Sequence, residues 1–293
     1  MSRTSDLLVT ALAPLIWGST YVVTTELLPS GYPITASALR ALPAGLLLLL
    51  IVRHLPRGEW WWKSALLGAF NFTIFQTMLF VSAYRLPGGV AATVGAIQPL
   101  LVIVLARFFM GNPIRLLSIV GGLAGISGVA LLVLTPHAKL DMIGIVAGLI
   151  GAVSMAFGTV LSRHWQPPVS PLTVTAWQLT AGGILLVPIA LVFEPALPSL
   201  TLNNWLGFAW LGLVGGAFAY IVWFRGISRL ESSAVSSLGF LSPLMAVILG
   251  WVLLDQQLSA LQMAGMAVVL ASVWVSQMAQ TRKPAPALVA AKA

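Results

Sequence analysis

The chain contains no cysteine, which excludes disulfides, thiolate metal sites and cysteine nucleophiles. Charge is also scarce. Only 8% of its 293 residues are Asp, Glu, Lys or Arg and 59% are hydrophobic, whereas a soluble globular chain carries about 25% charged residues. A soluble fold of this length would still need a charged skin around its core, and the residues for that skin are missing. The implied solvent is lipid. No acidic residue falls securely in mid-span, so a carboxylate proton relay has no obvious carrier and proton coupling is disfavoured, Glu26 or a backbone route being the alternatives, and no lysine falls within a span, which disfavours phosphorylated sugars. His54, His137 and His164 all fall in predicted connections, so an intramembrane metalloenzyme is disfavoured, and neither a metal nor a cofactor is expected. The net charge of +8 comes from residues scattered singly rather than gathered on a face, which argues against nucleic acid.

What is present is a series of apolar runs. A helix crossing the hydrocarbon needs about 20 apolar residues. Cutting the chain where charges, Pro pairs or Asn cluster leaves ten such segments: Leu7–Leu28, Pro33–Val52, Ser64–Tyr84, Gly88–Phe109, Leu116–Val133, Met142–Leu161, Leu172–Phe193, Trp205–Phe224, Ser232–Leu254 and Ser259–Met278. The first has no small-residue cleavage site before the next run and reads as a retained helix. With the N-terminus inside, twelve of the fifteen basic residues, Arg163 among them, fall on the inner side. The positive-inside rule then predicts both termini in the cytoplasm and supports an even helix count, and the expected location is the bacterial inner membrane, crossed several times. Trp60, Trp61 and Trp62 fit an inner-interface cluster.

The halves resemble each other. Arg85-Leu86 matches Arg229-Leu230, Gly95 matches Gly239, and Pro99-Leu100 matches Pro243-Leu244, all at a spacing of 144. Trp17-Gly18-Ser19 matches Phe157-Gly158-Thr159 at 140. Five helices, an odd number, separate equivalent positions, so the halves are expected to insert with opposite orientation, the plan of many secondary transporters. The expected organisation is a first five-helix repeat over 1–135, a second, inverted one over 136–280, and a cytoplasmic tail over 281–293. The fold class is an all-α integral membrane protein.

On Trp17-Gly18-Ser19, the Gly-x-x-x-Pro of the fourth and ninth segments and the basic connections, the chain resembles the drug/metabolite transporter superfamily, specifically its ten-helix EamA-type members. The resemblance covers essentially the whole chain. Members often close the fourth and ninth helices with Gly-Glu, where this chain has Gly111-Asn112 and Asp255-Gln256. The resemblance implies an exporter or exchanger of small metabolites, with the YddG-like branch of amino-acid and aromatic-compound exporters the first comparison.

Candidate site residues follow from depth and polarity. Pro99 and Pro243 lie near mid-span, where each should kink its helix against the carbonyl of Gly95 or Gly239, giving a hinge or gate. Gln98 and Ser242 precede them. Arg40 is the one basic residue clearly inside a span, and its guanidinium can bind a solute carboxylate or pair with Glu26. Its counterpart in the second half is Gln178. Asn71, Gln76 and Tyr220 fall in the middle thirds of their spans and either contact solute or bond helices together. Trp17, Trp177, Trp223 and Phe80 are candidates for an aromatic cavity lining or for packing. Gly121, Gly122, Gly125 and Gly128 read as close helix packing or dimerisation.

The expected function is a secondary transporter or facilitator, not an enzyme, exporting small metabolites, amino acids first, by alternating access through a central cavity. An exporter of organic cations, a non-saturating channel and a membrane-embedded enzyme are the alternatives. The expected partners are a small-molecule substrate and the bilayer, with monomer and homodimer equally open.

Overall fold

The computed structural model describes residues 3–86, 91, 94–95, 97–111, 114, 116–133, 141–230, 232–254 and 259–281. The expected fourth-span start at Gly88, the repeat boundary at 135–136, Asn112, Asp255, Gln256 and the tail from residue 282 lie outside the described residues. Those described form ten helical segments and no strand: α1 (Arg3–Leu27), α2 (Pro33–Val52), α3 (Trp60–Arg85), α4 (Gln98–Met110), α5 (Leu116–Val133), α6 (Met142–His164), α7 (Pro171–Phe193), α8 (Leu202–Arg229), α9 in two pieces (Ser232–Leu238 and Leu241–Leu254) and α10 (Ala260–Thr281). Six of them, α1, α2, α3, α6, α7 and α8, are long and apolar enough to cross a membrane, and the rest carry shorter apolar stretches. Leu, Ile, Val and Phe project outward along the bundle, as on Phe108, Leu191 and Phe193, where a bilayer and not water can receive them. The protein is a multi-pass membrane protein.

Helix starts follow local chemistry. Asp141 caps α6 by accepting from Gly144 N at 2.8 Å, Ser170 caps α7, and Thr201 with Asn204 forms a capping box at α8. The start of α2 is capped from a distance: the Glu194 carboxylate, just past α7, accepts from Ile34 N at 2.6 Å and Thr35 N at 2.7 Å. That puts negative charge on the positive helix end and ties α2 to α7.

Exchanging the halves leaves the packing pattern unchanged. The largest contacts join α2 to α7 and α5 to α10, the equivalent helices of the two halves. Contact of α1 with α9 is mirrored by α6 with α4, and α1 with α8 by α6 with α3. Asp6 accepts from Arg225 at 2.8 Å and Arg229 at 3.5 Å, pinning α1 to α8 on the face where α1 starts and α10 ends, here the terminal face. Arg85 and Asp141, at 3.3 Å, pin α3 to α6 on the opposite, distal face. The glycines of α5 pack inside the chain: a Cβ on Gly122 would meet Leu100, on Gly125 Phe240, and on Gly128 Val269.

Candidate solute cavity

A cavity opens between the halves, bounded by α1, α2, α3, α4, α6, α8 and α9, with about 1310 Å³ of non-atom space including its open solvent. Both Gly-x-x-x-Pro segments contribute to its lining, and both helices are broken where the sequence predicts a bend. Pro99 is the second residue of α4, after a turn closed by Leu100 N to Ile97 O at 3.1 Å. In α9 the break falls at Gly239–Phe240, with Phe240 N to Ser237 O at 3.2 Å and Ser242 N to Gly239 O at 3.1 Å, and Pro243 is the third residue of the second piece. Proline inside a helix removes a hydrogen bond and clashes, at about 3 kcal/mol, whereas in a first turn its missing N–H costs nothing. Restarting the helix is therefore cheaper than bending it. Gly95, Gln98, Pro99, Gly239, Ser242 and Pro243 all line the cavity.

The Trp17-Gly18-Ser19 motif gives each residue a separate partner. Trp17 donates its indole N–H to Gly215 O at 2.9 Å and packs its ring against Tyr220 and Trp223, each at 5.1 Å. Gly18 lets α1 meet α9, since a Cβ there would lie 2.6 Å from Ser242 O. Ser19 Oγ accepts from Trp210 Nε1 at 2.8 Å.

Arg40 comes from the buried face of α2 and is 3% exposed. Its Nη2 donates to the same Gly215 carbonyl at 3.4 Å and its Nη1 to Thr20 Oγ1 at 3.5 Å, while Nε has no partner. Gly215 belongs to the π-helical stretch Trp210–Phe218, a wide turn of a kind common at functional sites. Arg40 does not pair with Glu26, which is met only by Thr25 at 3.4 Å, nor with any other carboxylate among the described residues. Both acceptors are neutral and both bonds are long, so no carboxylate among the described residues compensates the buried charge.

The remaining expected site residues divide. Tyr220 lines the cavity, and Gln76 stands behind it, donating Nε2 to the tyrosine hydroxyl at 3.3 Å. Asn71 and Gln178 are not among the lining residues. Asn71 Nδ2 donates to Gln178 Oε1 at 2.7 Å, and both are buried where α3 meets α7. Of the aromatics, Trp17 and Trp223 line the cavity. Trp177 instead donates to His54 O at 2.6 Å, and Phe80 sits in a separate core with Val23 and Leu211.

Sequence reasoning missed Thr20, Tyr21 and Arg163 as lining residues. The overlooked signal for Arg163 is its spacing: Gly151, Met155, Thr159 and Arg163 recur every four residues on one face of α6, which runs three residues past the expected Leu161.

Comparison with known proteins agrees with this architecture. The chain is 42% identical over 267 residues to protein PecM of Dickeya dadantii, with 90% of each covered. It is 30% identical over 283 residues to the uncharacterized inner membrane transporter YedA of Escherichia coli K12, covering 94% of this chain and 92% of YedA. A solved crystal structure, 21% identical, shares the fold with a TM-score of 0.80 over 96% of this chain and 99% of its own. The model of the EamA-like transporter family matches twice, over residues 4–134 and 142–278, and the chain belongs to that family of membrane transporters.

Proposed function

We propose that this chain is a secondary transporter exporting small metabolites that carry a carboxylate, amino acids with aromatic or other apolar side chains included, by alternating access to the cavity between its halves. The observation that carries the reading is Arg40: a buried guanidinium at a cavity, held only by neutral oxygens, with one N–H left unmade. A solute carboxylate supplies the missing anion in a medium where charge-assisted bonds are strong. Trp17, Tyr220 and Trp223 offer flat apolar walls to the rest of the solute. The breaks at Gly95–Pro99 and Gly239–Pro243 serve as hinges, being the places where backbone can turn without losing ladder bonds. The terminal face, where Arg3, Arg53, Arg57, Lys63, Arg225 and Arg229 gather, is assigned to the cytoplasm of a bacterial inner membrane. Organic cations form a second reading, favoured by the same aromatic walls and opposed by Arg40.

Purified protein in liposomes tests this by counterflow. Saturable exchange of amino acids or aromatic acids is expected, and Arg40→Gln should weaken carboxylate solutes more than cations. Flux that never saturates would make the protein a channel, and absence of flux for every amino acid, aromatic acid and cation tested would remove the reading.

A further inference from the structure

Building on that transporter reading, we propose that Arg163 is a second anion contact and that the preferred solute is net anionic: an acid group on an apolar, ring-bearing body with no ammonium. Arg163 ends the ridge of α6 that lines the cavity from Gly151 onward, a run of about 18 Å at 1.5 Å per residue. Its Nε is buried without a partner, and no carboxylate pairs with it among the described residues. Arg40, fully buried where Arg163 is half-buried, lines the same cavity and likewise leaves its Nε unbonded. Two guanidiniums therefore face one space from different halves.

The described lining contains no Asp or Glu. An amino acid entering would bring an ammonium group with no anion to receive it, next to two fixed cations. A solute bearing only the acid meets attraction at either guanidinium. The breaks add to this field, because α4 and the second piece of α9, 13 and 14 residues long, start at the cavity. A helix N-terminus carries roughly half a positive charge. In a low-dielectric site a guanidinium without an anion is costly, and a bound acid relieves whichever of the two it meets. Arg163 lies in the last turn of α6, on the terminal face, so an acid entering from there meets it before reaching Arg40.

The test uses three compounds with the same ring and chain: 3-phenylpropionate, phenylalanine and phenethylamine, as anion, zwitterion and cation. In counterflow with the full chain, 3-phenylpropionate is expected to compete about tenfold better than phenylalanine, and phenethylamine least. Arg163→Gln should raise KM for 3-phenylpropionate about tenfold more than it lowers the maximal rate, with recovery in Arg163→Lys. The solute-free protein should be no less heat-stable in Arg163→Gln, because the half-buried side chain has an unbonded Nε and no ion pair among the described residues to lose. Equal competition by phenylalanine, an unchanged KM in Arg163→Gln, or a lowered melting temperature in that variant would overturn the inference while leaving transport standing. Absence of saturable flux for all three compounds and for other amino acids and aromatic acids would remove both.

Discussion

Replacing Gly183 by Ala puts a methyl group where α7 crosses α2, 2.6 Å from Leu42 Cα and 2.7 Å from Leu42 N. Unbonded carbons rest at about 3.5–4.0 Å, so the helices must part by roughly 1 Å. The obstacle is backbone, which cannot swing aside like a side-chain tip. Overpacking of this kind costs about 1–3 kcal/mol, and the better helix propensity of Ala returns at most about 1 kcal/mol. The expected net loss is about 1 kcal/mol. A second consequence follows from position: Arg40 is two residues before Leu42, and its bonds of 3.4 and 3.5 Å have little to spare. Gly183→Ala should therefore lower the melting temperature in detergent by a few degrees and weaken transport of the acid solute. Gly95→Ala is the control for stability, because a Cβ there meets nothing within 4 Å among the described residues. The measurement is tryptophan-fluorescence melting of both purified variants, with counterflow for Gly183→Ala. Equal melting temperatures in the two variants, or a more stable Gly183→Ala, would refute the account of the α2–α7 crossing.

Trp17→Phe keeps the ring contacts but deletes the bond to Gly215 O, and at about 1 kcal/mol for one hydrogen bond should raise KM roughly fivefold at normal protein level; an unchanged KM counts against a placing role for the indole. Pro99→Ala and Pro243→Ala restore a backbone donor at each break and should slow turnover without reducing the amount of folded protein, and normal turnover in both would contradict the hinge assignment. The Asp141 carboxyl is held below the usual carboxylate range, chiefly by the Gly144 N–H and also by Arg85. A lowered folded pKa means stability that is complete above about pH 4 and is lost as pH falls through the lowered value. Asp141→Asn should flatten that acid limb of a melting-temperature profile, and an identical acid limb in variant and parent would rule the contribution out.

Much of the scaffold is legible in the sequence because lipid enforces a simple rule. Spans such as Pro33–Val52 and Leu116–Val133 coincide with α2 and α5, since every backbone group within the hydrocarbon must bond inside its own helix. Ends that project beyond the apolar run are harder to read: α3 starts at Trp60 and α8 at Leu202, outside the expected Ser64 and Trp205, because caps and interfacial aromatics extend a helix without adding hydropathy. The cavity is only half legible. Depth and polarity select Arg40, Gln98, Ser242 and Tyr220, all of which line it, but they select Asn71 and Gln178 equally, and those two satisfy each other. A polar residue at mid-depth is required either to bond a neighbouring helix or to face a cavity, and one-dimensional spacing does not say which. The π turns at Ala69–Ile74 and Trp210–Phe218 leave no mark in the periodicity, although they occupy related positions in the two halves.

The repeat explains the frame, and departures from it explain the chemistry. In a two-fold arrangement a residue touches its own counterpart only near the axis. Gln76 and Tyr220, counterparts at a spacing of 144, bond each other at 3.3 Å, so the pseudo-axis passes beside the tyrosine that lines the cavity. The crossings of α2 with α7 and of α5 with α10 lie on the same axis for the same reason. Symmetry-related residues should present matched chemistry to anything bound there, yet these do not. Arg40 faces Thr20 and Gly215, whereas its counterpart Gln178 is consumed by Asn71; Tyr220 presents a ring where the first half offers Gln76. The two halves share their seams and their proline breaks and differ at the side chains that meet the cavity. Under the proposed function, a pair of hinges moves alike only if its halves stay alike, but a solute with an acid at one end and a ring at the other has no two-fold axis. An asymmetric lining on a symmetric frame satisfies both requirements.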